Sequence, residues 1–217
     1  MKIDFNEEKH EYTVDGKHIP SVSEILAPLN AERYAAINPM VLQDAARRGT
    51  AVHELAEAID YGLDPEEIDP DLDGYVDAYY QFLFDHDVEW SMIEQIVGNY
   101  RTEGEPPLYA GTVDRVGVVD GKLAVVDIKT YASMSTESQM TASCQTALYR
   151  SAIEDAYDEP YKRYILHLKK DGTYRLIDLG EFDRKRGWNG NAVAWELYEI
   201  YRQRAECLAA GKRGKKC

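Results

Sequence analysis

The chain has 217 residues, 44% of them hydrophobic and 29% charged, a composition that excludes intrinsic disorder and suits one globular domain with a sizeable core. It is too short to expect two independent domains. The formal net charge of −14 argues against simple nucleic-acid binding, which gains from a basic surface that releases phosphate counterions, unless the protein holds a locally basic groove or metal-binding carboxylates that a cation neutralises.

Taken in chain order, residues His10 to Val14 and Lys17 to Ile19 flank Asp15-Gly16, the favoured pair for a type I′ turn, and predict a short hairpin. Pro20-Ser21 opens a short helix through about Leu26. A longer helix is expected from Pro39 to Tyr61, with Val41, Ala45, Val52, Leu55, Ala56 and Ile59 near helical spacing and Gly62 as its stop. Another should span Leu72 to Asp87. Strand signals follow: Ser91 to Val97, then Leu108 to Val119 and Lys122 to Lys129 as a hairpin about Asp120-Gly121. A helix is expected from Thr136 to Ala156, a third hairpin from Tyr161 to Leu179 about Asp171-Gly172, and a closing helix from Asn191 to Ala210. Lys212 to Lys216 form a basic tail. This order predicts an α/β domain with a mixed central sheet flanked by helices. One domain should fill residues 1–217. An N-terminal hairpin and short helix occupy 1–38, a core 39–179, and a C-terminal helix and tail 180–217.

Chemistry concentrates in one stretch. Leu123 to Ile128 is almost wholly apolar, as a buried central strand should be. Asp127 and Lys129 follow the alternation of that strand and project from one face. Charges at the end of a buried strand need a partner or a metal. Asp114 lies on the preceding strand. Two neighbouring aspartates form a hard-oxygen site suited to Mg²⁺ or Mn²⁺.

Asp114 followed by Asp127-Ile128-Lys129 resembles the core motif of the PD-(D/E)XK nucleases, which carry a restriction-endonuclease-like fold. Gly49 to His53 resembles the GxxxH element of the RecB-like branch, and Gln145 to Tyr149 its QxxxY element. The elements stand in the family's order between Gly49 and Tyr149. One departure is Asp44, where some relatives carry arginine, although Arg47 and Arg48 are close by. The resemblance implies that His53, Asp114, Asp127 and the Ile128 carbonyl ligate the metal. It implies that Lys129 orients or activates the attacking water, and that Gln145 and Tyr149 face DNA. Their i, i+4 spacing puts both on one helical face.

Other residues carry weaker signals. Glu57 and Glu94 are either further ligands or ordinary solvated carboxylates. His10, His18, His86 and His167 match no element. Cys144, Cys207 and Cys217 show no paired spacing, so neither a disulfide framework nor a zinc site is expected, and a reducing cytoplasm is the natural setting. Relatives with an iron–sulfur cluster use four cysteines, so no cluster is expected here. No signal-peptide pattern and no apolar run of about eighteen residues is present, so no membrane association is expected.

The resemblance points to a DNA exonuclease or end-processing enzyme of recombination, repair or phage DNA metabolism, acting on duplex or single-stranded ends. A homo-oligomer or a recombination protein is a candidate partner. The rival readings are a non-catalytic DNA-binding or assembly module on the same fold, and a restriction-type endonuclease.

Overall fold

The computed structural model describes residues 1–35, 37–63, 65, 67–154 and 160–210. The expected basic tail and the expected helix end at Ala156 lie outside these residues.

Asp-Gly turns set the N-terminal sheet and the middle of the central one. β2 (Glu11–Val14) and β3 (Lys17–Ile19) join through Asp15 and Gly16 at φ 50° and 71°. Both values are positive, as a type I′ turn requires. β1 (Asp4–Asn6) adds to β2 and makes a three-stranded antiparallel sheet that the sequence pattern does not anticipate. The central sheet has the order β4 (Val88–Gly98), β5 (Ala110–Val119), β6 (Lys122–Lys129), β7 (Lys162–Leu168), β8 (Tyr174–Asp178). Only β6 and β7 pair in parallel, and α4 (Thr136–Ile153) makes the connection between them. The mixed sheet with flanking helices is the restriction-endonuclease-like arrangement expected.

β6 is apolar on both faces because helices cover both. Val125 belongs to the core built with α1 (Val22–Ala35), α4 and α6 (Gly190–Ala209). Ala124, Val126 and Ile128 belong to the core built with α2 (Pro39–Asp60) and α3 (Asp73–Asp85). This alternation is the strand's period of two.

Several boundaries differ from expectation. α1 continues past Leu26 to Ala35 despite Pro28 inside it. The lost amide is outweighed by the packing of Ile25, Leu26 and Leu29 against the core. α5 (Leu179–Arg186) is a helix where the sequence pattern ends a strand. Asp178 caps it by accepting the Glu181 amide, and Gly187 stops it at φ 62°. Cys144 is a free buried thiol, whereas Cys207 is disulfide-bonded, contrary to the expectation of unpaired cysteines. No helix of the described residues is long and apolar enough to cross a membrane.

Candidate metal centre

The antiparallel ladder between β5 and β6 has its last registered pair at Arg115 and Val126. Just beyond, the Asp114 side chain takes over the ladder's work: its Oδ2 accepts the Ile128 amide at 2.7 Å. The Ile128 carbonyl points to His53 on α2, whose Nε2 lies 3.2 Å away. That same Nε2 is 3.8 Å from Asp114 Oδ2. On its other edge, His53 Nδ1 lies 3.1 Å from Glu94 Oε1 on β4. Ligand atoms of His53, Glu94 and Asp114 all fall within 4.8 Å of one another, a spacing that suits one metal ion.

Asp127 stands beside this group. Its Oδ1 accepts from Lys129 Nζ at 2.7 Å, and its Oδ2 is buried without a hydrogen-bond partner among the described residues. A buried carboxylate oxygen with no partner is costly, and a cation would satisfy it. The donor set is one imidazole, carboxylate oxygens and a backbone carbonyl, which fits a hard or borderline divalent ion. The residues present therefore fit a divalent metal.

The electrostatics carry the same message. Burial disfavours the His53 imidazolium, but Asp114 and Glu94 more than offset it and lift the group to about 9. The doubly protonated ring then donates to both Glu94 and the Ile128 carbonyl. A proton on Nε2 thus sits where the carbonyl and Asp114 converge, and a metal would replace it. Burial pushes the Asp127 carboxyl up to about 6, against the pull of Lys129. Burial disfavours the Lys129 ammonium, yet Asp127 outweighs it and keeps the amine protonated. Burial also raises Glu94, but His53 and Arg115 hold it below the usual carboxylate range.

Behind Glu94 stands a network that the sequence pattern does not reveal. Arg115 is fully buried. Its Nη1 donates to Glu94 Oε1 at 2.9 Å and to the Asp114 carbonyl at 2.7 Å. Its Nε donates to Asp60 Oδ2 at 2.6 Å, at the C-terminal end of α2. Tyr79 and Trp90 also donate to Asp60, at 2.7 and 3.1 Å. The fork geometry of the guanidinium thus links the helix that carries His53 to the strand that carries Glu94. One signal was available: a charged residue inside the apolar strand Val113 to Val119. Glu94 also has φ 44°, the left-handed region that a non-glycine residue seldom enters.

On the far side, Gln145 Nε2 donates to the Tyr149 hydroxyl at 3.3 Å. Burial pushes the Tyr149 phenol up, so it stays protonated. A Cβ at Gly111 would come within 2.8 Å of the Tyr149 ring, so glycine there makes room for it. Two clefts meet at Gly49 and His53. One, of about 730 Å³, contains Glu54, Glu57, Glu94, Asp114, Gln145 and Tyr149. The other, of about 760 Å³, runs from Lys129 and Thr130 toward Tyr34 and Val41. Glu57 lines the first cleft but is outside the three-residue ligand group.

A family model described as the PD-(D/E)XK nuclease superfamily matches residues 30–211. The chain belongs to the PD-(D/E)XK nuclease superfamily. Nucleases of this superfamily use divalent metals and act on nucleic acid, in keeping with the ligand group described above. No curated protein matches the chain.

Proposed function

We propose that this PD-(D/E)XK protein is a Mg²⁺- or Mn²⁺-dependent deoxyribonuclease of the RecB-like branch that degrades DNA from ends, in recombination, repair or phage DNA metabolism. The observation that carries the reading is the convergence of His53, Glu94 and Asp114 beside Asp127, whose second oxygen is buried and unpartnered among the described residues. Asp114, Asp127, His53 and the Ile128 carbonyl would hold the ion, with Glu94 as a further ligand. When bound, such an ion polarises the phosphate and lowers the pKa of water.

The remaining work falls to side chains. Lys129, held by Asp127 at 2.7 Å, orients a water for in-line attack and stabilises the charge that develops on the phosphate. Asp114 keeps the Ile128 carbonyl aimed by holding its amide. Glu94 fixes the His53 ring by its Nδ1. Gln145 and Tyr149 contact the strand next to the scissile phosphate. No iron–sulfur cluster takes part, so the purified protein should be colourless and free of stoichiometric iron.

End-labelled linear DNA and covalently closed circular DNA, each with Mg²⁺, Mn²⁺ or EDTA, test the proposal. Linear DNA should be shortened from its ends in either metal, the circle should survive, and EDTA should stop the reaction. Cleavage of the circle would favour a restriction-type endonuclease. Metal and DNA binding without hydrolysis would favour an assembly module.

A further inference from the structure

The net charge of −14 poses a question for a protein that handles a polyanion, and the two clefts beside the metal centre answer it. They meet at Gly49 and His53, yet their charges differ. The cleft on the Tyr149 side is lined by Glu7, Glu54, Glu57, Glu94 and Asp114 and, among the described residues, by no lysine or arginine. The cleft on the Lys129 side has no aspartate or glutamate among its described lining residues and carries Arg48 and Lys129. A phosphate chain meets repulsion in the first and attraction in the second.

The second cleft also has an apolar wall. Tyr34, Ile37, Val41, Leu42 and Ala45 form it, from the end of α1 and the first turns of α2. Val41 is 58% exposed, and its neighbour Met40 is 72% exposed. An exposed apolar surface running into a catalytic centre marks a binding face. Across the cleft stand Thr130, Ser133 and Ser135, whose hydroxyls suit a sugar–phosphate chain. Arg48 lies 6.0 Å from the Tyr75 ring centroid, makes no ion pair among the described residues, and has its Nε buried without a hydrogen-bond partner. This guanidinium thus has donors to offer a phosphate.

We infer that the cleft between the Tyr34–Val41 wall and Lys129 binds an unpaired DNA strand, with nucleobases against the apolar wall and backbone phosphates toward Arg48 and Lys129. The occupant follows from the surface. Base faces are exposed only in an unpaired strand, since a duplex buries them in its stack and presents phosphates outward. Continuity with Ile128 and Lys129 leads the strand directly to the metal centre. The inference rests on the nuclease reading for the identity of the polyanion and deepens it by naming a single-stranded end as the substrate form.

Fluorescence anisotropy tests it, with labelled oligothymidylate and a labelled blunt duplex, and with Ca²⁺ in place of Mg²⁺. Wild-type protein should bind the single strand about tenfold or more tighter than the duplex. Val41→Glu and Arg48→Ala should each weaken single-strand binding about tenfold. Their Mn²⁺ binding, read by electron paramagnetic resonance, and their thermal melts should match wild type. Glu54→Gln, in the acidic cleft, should bind no more weakly than wild type. Equal affinity for strand and duplex, or a loss in Glu54→Gln as large as that in Val41→Glu, would overturn the inference. So would unchanged DNA binding in Val41→Glu, which would assign the face to a protein partner. The readout is binding alone, without hydrolysis. Binding lost in Val41→Glu by a chain that never cleaves DNA would support the cleft and remove the nuclease reading.

Discussion

Arg115 and Arg163 are both buried on strands of the central sheet, each bonded to a buried or nearly buried aspartate, on opposite sides of that sheet. Arg163 on β7 donates to Asp183 Oδ2 at 2.8 Å and to the Ser143 carbonyl at 2.7 Å, and Ser143 Oγ donates back to Asp183 at 2.7 Å. Gly190 closes the cluster: a Cβ there would fall 2.0 Å from Ser143 Oγ, so α6 can approach α4 only through glycine. The cluster is a closed ring that locks α4, α5, α6 and β7. Arg115 has the same chemistry with a different outlet. It is anchored at Asp60 and passes a further hydrogen bond to Glu94, a side chain open to the cleft. A buried arginine whose bonds all turn inward fixes the fold. One that directs a donor to a ligand transmits the rigidity of the core to the metal centre.

The sharpest test is at the closed ring. Asp183→Ala leaves Arg163 charged and unpaired in the core, and should cost about 3–5 kcal/mol in a urea melt, with Mn²⁺ affinity of the folded fraction unchanged. Lys129→Ala touches neither network, and single-turnover cleavage should fall about 10²–10³-fold in every metal while Mn²⁺ and single-strand binding persist. Rescue of that variant by excess Mn²⁺ would show that Lys129 serves the metal and not the water.

Arg115→Lys keeps the charge but loses the fork. Calorimetric Mn²⁺ affinity should drop about 10–100-fold, with a smaller stability loss than Asp183→Ala. Unchanged Mn²⁺ binding would make the two arginines alike and break the comparison. The smallest effect is in pH. His53 is raised from 6.5 to about 9 in the metal-free protein. Its contribution to stability is therefore complete below pH 6.5 and lost as pH climbs through about 9. Mn²⁺ affinity should rise over the same window, because the ring must shed a proton to bind. Melting curves in EDTA and in Mn²⁺ should thus move in opposite directions between neutral and alkaline pH.

What the sequence disclosed was local. The turns at Asp15-Gly16 and Asp120-Gly121 are legible because two consecutive positive φ angles demand those residues. β6 is legible because a short apolar run, set between an Asp-Gly turn and a charged pair, suits a strand covered on both faces. The pair Asp127 and Lys129 follows from that strand. Glu94 stayed undecided and Arg115 and Asp60 unseen, because what gives them meaning is far away in the chain. Asp60 and Arg115 are ordinary surface types until α2 and β5 meet. β1 and α5 escaped for a similar reason. β1 spans Asp4–Asn6 and exists through its pairing with β2, and α5 depends on the cap that Asp178 supplies. The length of α1 was hidden by Pro28, whose cost only tertiary packing offsets.

Glu94 has one more consequence. Its backbone at φ 44° carries a penalty of roughly 1–2 kcal/mol for a residue with a Cβ, which glycine would not carry. The position thus sets heat resistance against chemistry. A laboratory selection that rewarded only survival at high temperature would drift toward glycine at 94, and the hardened protein it returned would have lost its grip on the ion.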